Sequence, residues 1–167
     1  MTDTTPTLHE WAGGDAAFER LTDAFYTRVV RDDLLAPLFA PMSPEHARHV
    51  AVWLAEVFGG PATYTAAHGG YPRMLAHHLN MAITEPQRRR WVNLIQDAAD
   101  EAGLPDDPEF RAAFLGYIEW GTRLARLNSQ PGAEVVRDAA VPRWGWGVAP
   151  PYQPALRAEH LSSGDES

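Results

Sequence analysis

Phe18, Leu21, Phe25 and Val29 recur at intervals of three and four residues, the spacing that gathers side chains on one face of an α-helix. The rhythm returns in Trp91, Leu94, Ile95, Ala98 and Ala102, and again in Phe110, Phe114, Tyr117, Ile118, Gly121 and Ala125. No stretch sustains the apolar/polar alternation of a half-buried strand, so the expected class is all-α. At 167 residues the chain has room for one hydrophobic core and is short for two.

Breakers and caps divide the pattern. Gly13-Gly14 precede Asp15, a plausible N-cap for a helix running to about Arg31. Asp32-Asp33 open a short helical turn ending near Phe39-Ala40-Pro41. Ser43 and Pro44 open another helix, which Gly59-Gly60-Pro61 stop. The stretch from Ala62 to Ile83, rich in Gly, His, Tyr and Pro, reads as loop plus a short helix near Pro72 to His78. Thr84 then caps a helix that Gly103 ends, and the last long helix begins at about Asp107. Beyond Ser129, Pro142-Arg143-Trp144-Gly145-Trp146-Gly147 and Pro150-Pro151-Tyr152 forbid a regular helix. The expected organisation is a flexible N-terminus over 1–10, a helical domain over 11–128, and a Pro/Trp-rich extension over 129–167. Part of that extension should lie against the domain, because its Trp and Tyr rings are costly to leave wet, while its last ten or so residues should be disordered.

A formal net charge of −8 argues against a nucleic-acid groove or an anionic membrane surface as partner, since both demand clustered Lys and Arg. With no cysteine there is no disulfide, thiolate metal site, cysteine nucleophile or covalently attached haem. The N-terminus lacks the features of a secretory signal and no apolar run approaches a membrane span, so a cytoplasmic location is the default expectation.

Any metal therefore falls to carboxylates or to the seven histidines. His46, His49, Val50, Trp53 and Val57 share a helix face, where imidazoles mix with large apolar groups; a partly exposed helix edge accounts for that stripe equally well. His77 and His78 are neighbours that point in different directions, so at most one faces a metal. A His-Glu-x-x-His zinc site, the paired Glu-x-x-His of a di-iron bundle, glycine-rich phosphate loops and a Gly-x-Ser-x-Gly elbow are all missing. One metal-binding imidazole in an all-helical, aromatic-rich chain is the combination that haem requires.

From about Trp11 to Leu127 the order of residues resembles the group II truncated haemoglobins, small globins with a two-on-two helical sandwich. The resemblance rests on Gly13-Gly14, Phe25-Tyr26, Leu35-Ala36-Pro37-Leu38-Phe39, Gly59-Gly60-Pro61 with Thr63-Tyr64, His78-x-x-Met81-x-Ile83 and Arg90-Trp91. It implies haem b, with His78 as the iron's axial ligand and Met81 and Ile83 packed beside it. Tyr26, His46 and Trp91 would face the bound gas, with Val50 completing that wall and Phe39 stacking on the porphyrin. Phe25 and Trp53 would also contact haem, and Arg73, His49, His77 and Tyr64 are the candidates to meet its propionates. The family usually carries an arginine where His77 stands, and many relatives a small residue where His46 stands. Oxygen, carbon monoxide and nitric oxide are the implied ligands. Three donors converging on a partly negative ligand would contribute about 1 kcal/mol each, favouring slow oxygen release. A separate reductase and a homodimer are compatible with this reading. Its rivals are a nitric oxide dioxygenase or peroxidase, and a haem-free helical protein whose aromatic tail docks a partner. Phe18, Phe114 and Tyr117 read as core, Trp11, Trp120, Trp144 and Trp146 as packing, and Arg88-Arg89-Arg90 as a solvated helix face except where the backbone turns one inward.

Overall fold

The computed structural model describes residues 5–152, and every regular element among them is a helix. In order these are α1 (Leu8–Ala12), α2 (Asp15–Val29), α3 (Ala36–Phe39), α4 (His46–Val57), α5 (Thr63–Ala67), α6 (Gly70–His78), α7 (Glu85–Glu101) and α8 (Pro108–Asn128). No helix of the described residues is long and apolar enough to cross a membrane.

Local chemistry explains most of the boundaries. Thr7 and Glu10 form a reciprocal capping box at the start of α1, and Gly13 ends it at φ +112°, a left-handed conformation that favours glycine. Thr84 and Gln87 repeat the box at α7, with Pro86 in the first turn. Asp107 caps α8 by accepting from the Phe110 amide at 2.9 Å, and its other carboxylate oxygen accepts from Trp11 Nε1 at 2.9 Å, tying α1 to α8. Two expectations need correction. The flexible stretch assigned to residues 1–10 ends earlier, because Leu8 is buried and the His9 amide donates to the Phe58 carbonyl at 2.8 Å. The segment between α4 and α7 holds two short helices, α5 and α6, where loop plus one helix was expected.

Helix α2 packs on α4 and on α7, and α7 packs on α8. The stack closes through side chains, with Phe58 beside Phe114 (5.5 Å between ring centroids) and Tyr117 (5.3 Å), which makes α4 and α8 neighbours. The result is the all-helical sandwich of two pairs. Phe18, Leu21, Phe25 and Val29, the residues of the first periodic series, are fully buried in it. The extension folds back over this core. The Trp144 amide donates to the Val57 carbonyl at 2.7 Å, Trp146 Nε1 donates to the Pro6 carbonyl at 2.8 Å, and Val141 is buried. Arg88 is the one of the three consecutive arginines that turns inward; it is buried between Glu85 and Glu119, where desolvation is repaid by paired charge.

Candidate functional site

Helices α3, α4, α6, α7 and α8 enclose one apolar cavity. Its floor is built around α6 and the segment that follows. His78, half-buried near the end of α6, engages the Met74 carbonyl through Nδ1 at 2.8 Å. A carbonyl only accepts, so Nδ1 carries the proton and Nε2 keeps its lone pair. Burial lowers the His78 pKa, which keeps the ring neutral and able to donate that pair to a metal.

The chain leaves α6 through two left-handed residues, Asn80 at φ 63° and Ala82 at φ 51°. Alanine in that region costs of order 1 kcal/mol, so the surroundings must hold it. Ser129, fully buried at the end of α8, does this: its carbonyl accepts from the Ala82 amide at 2.8 Å and its hydroxyl accepts from the Ile83 amide at 3.0 Å. Gln130 Nε2 donates to the Ile83 carbonyl at 3.0 Å. Met81 and Ile83 thereby line the cavity together with His78.

Tyr26, Phe39, His46 and Trp91 form the opposite cluster. The Tyr26 ring lies 5.3 Å from His46 and 5.6 Å from Phe39 between centroids, both edge-on. Burial pushes the Tyr26 phenol pKa up, so the hydroxyl keeps its proton. His46 falls to about 4, through burial first and then the neighbouring imidazoles His77, His78 and His49, and is neutral at pH 7. The Tyr26 hydroxyl, the Trp91 indole N–H and the His46 ring all line the cavity, and none forms a hydrogen bond within the described residues. Buried donors without a partner are costly unless something else accepts from them.

Of the sequence-predicted contacts, Phe39, Val50, Trp53, His77, Met81, Ile83 and Trp91 line the cavity alongside Tyr26, His46 and His78. Phe25, His49, Tyr64 and Arg73 do not. Phe25 is fully buried behind it, edge-on to Trp91 at 4.7 Å and to Tyr26 at 4.9 Å, and so backs both donors. Tyr64 sits behind Trp53 at 5.1 Å. His49 faces outward to His68 at 4.6 Å and Glu45 at 3.8 Å. Arg73 is exposed near the rim, close enough for its charge to depress the pKa of His77 after burial has done so. The sequence reading missed Leu38, Met42, Leu54, Met74 and Leu124, aliphatic groups at helical spacing whose pattern is that of ordinary core. It also placed Tyr117 and Trp120 in packing, yet both line the cavity, and Pro142 of the extension joins them.

Comparison with known proteins places this geometry. Residues 7–118 match the family model described as bacterial-like globin. The chain is 36% identical over 110 residues to group 2 truncated hemoglobin YjbI of Bacillus subtilis (strain 168), covering 66% of this chain and 81% of that one. Among solved structures, the group II truncated hemoglobin from Bacillus anthracis aligns with a TM-score of 0.67 at 28% identity, covering 80% of this chain and all of that one. The truncated oxygen-avid haemoglobin from Bacillus subtilis aligns with a TM-score of 0.62 at 33% identity, over 71% and 97% of the two chains.

Proposed function

Because the chain belongs to the bacterial-like globin family, we propose that it binds haem b in the cavity, with His78 as the iron's axial ligand, and holds a diatomic gas against Tyr26, Trp91 and His46. The observation that carries this reading is the contrast between an imidazole whose Nδ1 is engaged and whose Nε2 is left to donate, and three unengaged donors lining the same cavity. Haem supplies one iron coordination position for a gas, together with a flat apolar surface. The chain's own residues do the rest. Met74 orients the His78 ring, Ser129 holds the strained segment that carries Met81 and Ile83, and the apolar walls exclude water, which strengthens every polar contact inside.

The donor cluster favours ligands that carry partial negative charge. Oxygen does so more than carbon monoxide, so the reading predicts slow oxygen release. His77 and Arg73 provide the nearest cationic or donor groups for the propionates at the rim. With no cysteine in the chain, the haem is held without a covalent bond, and a separate reductase keeps its iron ferrous. An absorption spectrum of the purified protein tests the reading. A Soret band that disappears in His78→Ala supports it, and a colourless protein that refuses added haemin overturns it.

A further inference from the structure

The wall of the cavity opposite in character to the donor cluster continues outward as a line of oxidisable rings. Trp53 Nε1 donates to the Tyr117 hydroxyl at 2.8 Å. The Tyr117 ring lies 5.6 Å from Trp144 and 6.2 Å from Trp120, and those two indoles are 5.8 Å apart. These separations are all within the range of aromatic contact. Trp53 and Tyr117 are 7% and 6% exposed, whereas Trp120 is 44% exposed. One end of the line faces the cavity, and the other faces water.

Packing alone does not call for this composition. A ring nearly half in water gains little from burial, and phenylalanine or leucine would fill the buried positions as well. Indole and phenol are the side chains most easily oxidised by one electron in a chain that has no cysteine. The third ring comes from outside the helical domain. Trp144 is held by its amide bond to Val57 and lies over Gly116, where a Cβ would stand 3.7 Å from the indole. The extension thus inserts an indole between Tyr117 and Trp120. Burial pushes the Tyr117 pKa up, so its phenol holds its proton and serves as a bridge, while the indoles, which lose an electron without first losing a proton, are where the oxidising equivalent rests.

We propose that Trp53, Tyr117, Trp144 and Trp120 form an electron relay through which haem in this cavity draws single electrons from phenolic donors at the Trp120 surface, so that the protein also consumes peroxide. The proposal rests on the haem reading. Hydrogen peroxide takes up two electrons and two protons, its O–O bond breaks, and it leaves as two waters. Two phenols each lose one electron and one proton and leave as phenoxyl radicals. The electrons pass along the relay and the protons through solvent.

The test uses the full-length, haem-loaded protein, one equivalent of hydrogen peroxide and a nitroso spin trap, with peptide mass spectrometry to locate the adduct. The expected adduct is on Trp120, moving to Trp144 in Trp120→Phe, a change that keeps an aromatic ring in place. Steady oxidation of a phenol too bulky to enter the cavity is expected to fall about tenfold in Trp120→Phe. An adduct confined to cavity residues such as Tyr26, or bulky-phenol oxidation unchanged in both Trp120→Phe and Trp144→Phe, overturns the relay. Absence of a Soret band in the unaltered protein overturns the haem reading instead, and is seen before any peroxide is added.

Discussion

Tyr26 and Trp91 on one side of the cavity, and Tyr117 and Trp53 on the other, are the same pair of residue types used in opposite ways. Trp53 donates its N–H to the Tyr117 hydroxyl at 2.8 Å. Tyr26 and Trp91 make no such bond with each other or with the other described residues; Phe25 separates and backs them, edge-on to both. A donor already engaged rigidifies a wall, and an unengaged one is available to a ligand. Residue type therefore does not assign function in this cavity; what each polar atom is already doing does.

The largest effect on this contrast comes from removing what both sides face. His78→Ala is expected to abolish stable haem uptake, read as loss of the Soret band, with added imidazole restoring part of it. Next, Tyr26→Phe removes an unengaged donor. At about 1–3 kcal/mol for a hydrogen bond made in a dry site, oxygen dissociation should accelerate by about 5- to 150-fold, with a smaller change for carbon monoxide. Equal acceleration for the two gases in a flash-photolysis or stopped-flow measurement would break the comparison. Trp53→Phe removes an engaged donor, so its cost should appear in folding instead, about 1 kcal/mol by denaturant titration, with oxygen dissociation changed by no more than about twofold.

The smallest effect is that of pH on His46. Its pKa in the folded chain is about 4, below the ordinary 6.5. Between those values the unfolded chain binds more protons than the folded one, so the contribution is complete above pH 6.5, declines as pH falls, and levels off below about 4. Thermal unfolding midpoints should therefore drop less between pH 6.5 and 4 in His46→Gln than in the unaltered protein. Identical pH slopes would show that His46 is open to water and does not belong with the unengaged group.

The helices were legible because each signal is local. Periodicity gave α2, α7 and α8, and Thr84 and Asp15 marked starts to within a residue. Helix α4 begins at His46 without a side-chain cap, two residues after Pro44, so the Ser43 signal located the turn and not the first helical residue. The choice between His77 and His78 was not local. Spacing says that one of two neighbours faces inward, and only the resemblance or the fold says which. His49 and Tyr64 failed as cavity residues for a related reason: both lie on elements that border the cavity, and a turn of about 100° per residue decides between lining it and facing away. Tyr117 was read as core and is buried, but burial next to a void and burial inside a packed cluster have the same sequence signature. The contribution of Pro142 depends on where an irregular segment returns, which no periodicity encodes.

That return has a consequence for how the protein is made. Pro6 is held by Trp146, 140 residues later, and the cavity wall is incomplete until Pro142 has been laid against α8. Translation proceeds from the N-terminus, so the helices emerge from the ribosome before the segment that finishes their shared hollow. A finished pocket consequently exists only after nearly the whole chain has been synthesised, and its occupant is acquired by a released polypeptide and not by a nascent one.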